Sequence, residues 1–256
     1  MTDIILQQDL PEEYVCIQCS EPIALNSRFC KHCGSTQKVE DEYTISGWNR
    51  VKQAALFYAF DIIICAIASF IDAFKTLTWS IIFDVLLAII AITFFCDNWS
   101  KNKSLLKWPD FSFLKLLGYG AGAIVTSLIV SYCVGWLNHT IFSKEFYYYG
   151  FYANQKYAAL IMIFFTAVMP ALFEELAYRG YLLQNLLGVA DHKQAIFITS
   201  FLFAILHMSF LSLFWLIPFA LLLGYIRIKE KTLWYGVFIH FCFNLTVCVM
   251  ELWKYR

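Results

Sequence analysis

Three short stretches in the second half of this 256-residue chain set ionisable groups among apolar neighbours. PALFEELAYRGYLL holds Glu174, Glu175 and Arg179; FAILHMS holds Phe203 and His207; HFCFN holds His240 and Asn244. At the centre of a membrane helix each ionisable side chain costs about 2.5–3.5 kcal/mol on insertion scales, so several together point to a function. A carboxylate beside an imidazole can take and share the proton of a water molecule, which is the chemistry of hydrolysis. Two imidazoles and one carboxylate are equally the ligands of a catalytic metal that keeps an open position.

A fourth group lies near the N-terminus, where VCIQC and CKHCG give Cys-x2-Cys-x10-Cys-x2-Cys through Cys16, Cys19, Cys30 and Cys33. Two close-spaced thiolate pairs, each on a tight turn, suit tetrahedral zinc. His32 lies between Cys30 and Cys33; with four sulfurs filling the site it is expected to face solvent. A segment this small buries too little to fold unaided, so a structural zinc is expected to supply its folding energy. Reduced thiolates place this end in the cytosol.

Helical spacing sorts the remaining groups. Glu175 and Arg179 are four residues apart and pair on one face, whereas Glu174 lies about 100° around the helix and is free to face elsewhere. His240 and Asn244 share a face in the same way, and Phe203 stands one turn before His207 as a wall for its ring. Asp61 and Asp84 match none of these patterns and are expected to line water-filled space or bond a neighbouring helix.

The elements that must position these residues follow from composition. Hydrophobic residues make up 60% of the chain and charged ones 15%, against about 45–50% and about 25% in soluble domains. Nineteen basic side chains cancel nineteen acidic ones, which leaves no basic field for nucleic acid. The expected fold is an all-α polytopic membrane protein with a small N-terminal zinc ribbon. Residues 1–40 read as ribbon and tail, 41–50 as a polar linker and 51–256 as the transmembrane domain. Spans are expected near 51–71, 78–96, 113–137, 157–187, 194–209, 211–226 and 232–250. That makes seven, or eight if the aromatic stretch 138–156 enters the bilayer. Pro170 is expected to kink the fourth span, and a tight turn around Ser209 to Ser212 joins the fifth and sixth.

With the N-terminus inside, the inner flanks hold Arg50, Lys52, Lys101, Lys103, Lys107, Lys115, Lys193, Arg227, Lys229 and Lys231. The outer flanks hold only Lys75, Lys144, Lys156, Lys254 and Arg256, which is the direction of the positive-inside rule. The N-terminus MTDIILQQDLPEE lacks a basic stretch followed by an apolar one, so no cleaved signal peptide is expected. The small ribbon and the absence of a signal peptide suggest a bacterial inner-membrane protein, and charge and thiolates put its ribbon in the cytoplasm.

In order and spacing, the three polar stretches resemble the signature of the CPBP intramembrane proteases, the CAAX-protease/Abi family that includes type II CAAX prenyl endopeptidases. That signature is Glu-Glu-x-x-x-Arg, Phe-x-x-x-His and His-x-x-x-Asn on separate helices, met here by Glu174, Glu175 and Arg179, by Phe203 and His207, and by His240 and Asn244. The resemblance implies an intramembrane endopeptidase acting on membrane-associated peptides or proteins. In it Glu174 is the general base, His207 its partner on the water, His240 and Asn244 the oxyanion site, and Glu175 with Arg179 a supporting ion pair. The family's metalloprotease label keeps the rival reading open, with Glu174, His207 and His240 as metal ligands. A non-catalytic binding or immunity protein on the same fold is the alternative function, with the ribbon anchoring a partner. A proton-coupled transporter would show internal repeats, and none is evident.

Overall fold

The computed structural model describes residues 14–23, 27, 29–37, 42–142 and 149–254. Lys144 and Arg256 of the charge reading, and residues 143–148 of the aromatic stretch, lie outside the described residues. The chain divides into two compact units, Met1–Asn49 and Arg50–Arg256.

The first unit is built from two turns of the same design. Strands β1 (Tyr14–Val15) and β2 (Pro22–Ile23) pair antiparallel around Cys16 and Cys19, and a single bridge joins Phe29 to Thr36 around Cys30 and Cys33. In the first turn Cys16 N donates to Glu21 O and Ser20 N to Cys16 O; in the second, Cys30 N donates to Ser35 O and Gly34 N to Cys30 O. Each turn closes through a left-handed residue, Ser20 at φ 58° and Gly34 at φ 72°. Glycine takes that conformation without steric penalty, which explains Gly34 directly behind the second cysteine pair.

Among the described residues seven long helices follow. They are α1 (Glu42–Phe70), α2 (Leu77–Asp97), α3 (Phe113–Phe142), α4 (Ala158–Leu186), α5 (His192–Ile205), α6 (Leu213–Glu230) and α7 (Trp234–Lys254). Residues 42–50, expected as linker, form the first turns of α1 instead. Among the described residues five helices are long and apolar enough to cross a bilayer: 47–70 of α1, 113–140 of α3, and the whole of α2, α4 and α7. The expected fifth and sixth spans are realised as the shorter α5 and as α6, whose last turn carries Arg227, Lys229 and Glu230.

Unlike that of a soluble protein, the exterior is as apolar as the core, and ionisable groups are enclosed within it. Ile82, Val85, Ile89 and Ile92 of α2 and Val125, Leu128, Ile129 and Tyr132 of α3 are exposed, whereas Asp61, Glu175, Arg179, Glu230 and His240 are buried. Lipid solvates the first group, and the second must find partners inside. The protein is a multi-pass membrane protein.

Helix ends are fixed by specific caps. Thr76 accepts from Trp79 N at the start of α2, and Asp191 accepts from Lys193 N and Gln194 N at the start of α5. The segment Lys103–Leu106 anchors the entry to α7: Leu233 N and Thr232 Oγ1 donate to Leu105 O, and Trp234 Nε1 donates to Leu106 O at 2.7 Å. One apolar cluster joins α1, α2, α4, α5 and α6 through Phe57, Ala91, Tyr178, Phe203 and Ala220. A second joins α3, α6 and α7 through Ala123, Leu223, Tyr235 and Phe243. The polar stretches lie on the helices that these two clusters clamp.

Two local departures from expectation matter for the site. Helix α4 widens into π geometry over Phe164–Val168 and again over Glu175–Leu182, with Pro170 just beyond the first widening. The proline is thus absorbed by a broadened turn, a feature that recurs at functional sites. Helix α5 ends at Ile205, short of the expected 209, so His207 stands on the turn that follows and not within the helix. Met208 at φ 48° turns the chain there, and Ser212 Oγ donates to Ser209 O.

Candidate active site

Glu175 is the hub of the polar cluster. Its Oε1 accepts from Arg179 Nη1 at 2.9 Å, the expected ion pair, with both side chains buried. The same oxygen lies 3.0 Å from His240 Nδ1. A carboxylate paired with arginine only accepts, so Nδ1 carries the proton and Nε2 is the atom turned away from Glu175. Arg179 is held in turn by Ala220 O at 3.4 Å and lies over the Phe203 ring, 4.5 Å from its centroid. Phe203 therefore walls the arginine as well as His207, whose ring is 5.1 Å away. Gly236 of α7 gives this cluster its room: a Cβ there would stand 3.0 Å from Glu175 Oε2.

Glu174 faces elsewhere, as its 100° offset implies. Its side chain is 36% exposed, and its Oε2 lies 3.8 Å from His240 Nε2. Glu174 and His207 line one cavity of about 230 Å³ among α1, α2, α4 and α5. His207 Nδ1 lies 3.2 Å from Phe203 O; a carbonyl only accepts, so this ring also donates from Nδ1 and keeps Nε2 for other partners. Both imidazoles are thus fixed through the same nitrogen. The cavity also receives Asp61 and Asp84, which the spacing arguments left without a role. Tyr178 OH donates to Asp61 Oδ2 at 3.0 Å. The signal available in the sequence was an aspartate inside each of two apolar runs, which no motif matched to the later helices.

Asn244 is placed differently from His240. Its Nδ2 donates to Thr166 O at 3.0 Å, across from α7 to the widened turn of α4. Thr166 is four residues before Pro170, and proline has no N–H to offer that carbonyl. In the resting structure one hydrogen of Asn244 therefore ties two helices together.

Among the described residues, one group of His, Cys, Asp or Glu brings its ligand atoms within 4.8 Å of one another: Cys16, Cys19, Cys30 and Cys33. Cys16 and Cys33 sulfurs are 3.6 Å apart, as are those of Cys19 and Cys30. Four thiolates held about 2.3 Å from one ion in a tetrahedron stand about 3.8 Å apart, so the cluster fits a metal of that size. Backbone N–H groups of Gln18 and His32 and the side-chain amide of Gln37 point at the sulfurs. The Ser35 hydroxyl, 2.9 Å from Cys33 Sγ, draws that thiol below its ordinary value and so favours the metal-binding thiolate. His32 is exposed.

Comparison with known proteins falls on the helices just described. Residues 156–246 match the Rce1-like family, type II CAAX prenyl endopeptidase Rce1-like. No curated protein and no solved structure matches the chain. The Rce1-like segment contains Glu174, Glu175, Arg179, Phe203, His207, His240 and Asn244. Helices α1 and α2, which bring Asp61 and Asp84 to the cavity, lie outside it. The match supports, in general terms, an intramembrane endopeptidase of the CAAX type.

Proposed function

We propose that the chain is an intramembrane endopeptidase that hydrolyses peptide bonds of membrane-associated substrates with a water activated by Glu174. The observation that carries this reading is the contrast between the two adjacent glutamates. Glu175 is spent on Arg179 and His240, while Glu174 is part-exposed at a cavity with one imidazole nitrogen 3.8 Å away.

The chemistry then follows from atoms already placed. Water held between Glu174 and His207 Nε2 gives its proton to the Glu174 carboxylate as its oxygen attacks the peptide carbonyl carbon. The negative charge that develops on the carbonyl oxygen is met by His240 as an imidazolium, its Nδ1–H on Glu175 and a second proton on Nε2 donated to the oxygen. Glu174 passes the proton to the departing nitrogen as the C–N bond breaks, leaving a carboxylic acid and an amine, between which the last proton then passes to give carboxylate and ammonium. Asn244 holds the widened turn of α4 against α7, and with it the orientation of Pro170 and Glu174.

The rival set of metal ligands, Glu174, His207 and His240, is less well supported, because these side chains do not bring their ligand atoms within 4.8 Å of one another. We assign a structural zinc to Cys16, Cys19, Cys30 and Cys33, the ribbon to the cytoplasm and the membrane domain to a bacterial inner membrane. The test is cleavage of fluorogenic peptides by purified full-length protein in detergent. Wild-type protein cleaves and Glu174→Gln does not, although it elutes and melts as wild type does; a Glu174→Gln protein that cleaves at the wild-type rate removes Glu174 from the mechanism.

A further inference from the structure

The catalytic reading uses Glu174 and His207 and leaves unexplained the two other acids that face them. Asp61 on α1 and Asp84 on α2 line the same cavity. Three carboxylates are thus gathered around about 230 Å³, and no lysine or arginine is among the lining residues. Arg179 sits nearby but is engaged by Glu175 and Ala220 O.

Asp61 makes the case more specific. The residue is 4% exposed, and only one of its oxygens is satisfied, by Tyr178 OH; Oδ1 is buried with no hydrogen-bond partner among the described residues. Asp84 has no side-chain hydrogen bond among the described residues. A buried acceptor without a donor costs about 1–3 kcal/mol, and more when charged. Like charges around one apolar space add repulsion that protonation or a bound cation relieves. A bound group that keeps these carboxylates ionised therefore carries positive charge and N–H donors. The spread of the three carboxylates, which do not meet the 4.8 Å ligand spacing, suits an extended organic cation better than a metal ion. The cavity volume suits a guanidinium or ammonium on its alkyl stem.

We infer that Asp61 and Asp84 form a recognition site for a basic side chain, arginine or lysine, of the peptide that Glu174 cleaves. The assignment of the cation to a substrate rests on the endopeptidase reading; the cation site itself does not. Because both aspartates lie outside residues 156–246, this preference belongs to the N-terminal helices of this chain and not to the matched segment.

The test separates the two layers. Purified full-length protein in a neutral detergent is melted against n-butylguanidinium chloride and against the neutral n-butylurea. The cation raises the melting temperature saturably and the urea does not; Asp84→Asn raises the half-saturating concentration about tenfold or more. Asp61→Asn does the same, and should loss of the Tyr178 bond lower its yield, Asp84→Asn decides alone. Equal stabilisation by both compounds, or an unchanged half-saturating concentration in Asp84→Asn, overturns the cation site. Fluorogenic peptides that differ only in arginine or citrulline then locate the cation: preferred cleavage of the arginine peptide, lost in Asp84→Asn, supports a substrate side chain. Cation binding with equal cleavage of the two peptides overturns the substrate assignment. Cation binding with cleavage of neither refutes the endopeptidase reading and leaves the site standing.

Discussion

Asn244 donates its side-chain amide to the carbonyl of Thr166 at 3.0 Å, the position in α4 that Pro170 leaves without an N–H. An asparagine that the family signature implies as an oxyanion donor is also a tie between two membrane helices. Asn244→Ala is therefore expected to lower the melting temperature as well as the rate, by about 0.5–2 kcal/mol as interhelical membrane hydrogen bonds do. Pro170→Ala in the same protein restores a backbone N–H and should recover part of that stability. A loss confined to kcat, with no change in melting, would restore the oxyanion role as the whole account.

The two glutamates should separate cleanly. Glu174→Gln is expected to abolish cleavage at near-wild-type stability. Glu175→Gln leaves Arg179 buried without its charge partner, although the amide oxygen can still accept from His240 Nδ1, and breaking a buried pair this way costs about 3–5 kcal/mol. Thermal unfolding and turnover measured on both variants check this; matching stabilities would show that the Glu175 cluster is not structural.

Gly236→Ala probes the same cluster without touching a charge. The added Cβ stands 3.0 Å from Glu175 Oε2, tighter than the contact allows without movement. Overpacking of this kind costs about 1–3 kcal/mol. The expected result is a lower melting temperature together with reduced kcat, because the shift passes through Glu175 to His240. A fully active, fully stable Gly236→Ala protein would mean that the cluster has slack.

Metal content divides the two metal questions. About one zinc per chain is expected by elemental analysis, and it should vanish in the Cys16→Ser/Cys19→Ser protein while the membrane domain stays folded and active. Zinc that persists in that variant and disappears in His207→Ala would place the ion in the membrane site and favour the metallo reading.

Topology is testable separately. A reporter fused after Arg256 is expected outside the cytoplasm and one fused at the N-terminus inside it, as an odd number of crossings requires. A cytosolic signal from the C-terminal fusion would mean an even number.

The sequence by itself carried the membrane character, because 60% apolar composition in long runs has no other stable solution. It also carried the four-cysteine site, where ligand spacing is local, and the Glu175–Arg179 pair, where helical period puts partners side by side. What it did not determine was everything fixed between helices. Pairing of Glu175 with His240 joins residues 65 positions apart, and the Asn244–Thr166 tie depends on a widened turn that no periodicity announces. His207 read as part of the last turn of a span at 194–209 because its apolar neighbours continue the pattern, yet the helix ends at Ile205, the chain turns at Met208 and the ring caps Phe203 O. Asp61 and Asp84 looked isolated because their partners stand on other helices. Local spacing decides which side chains share a helical face; only packing decides what that face meets.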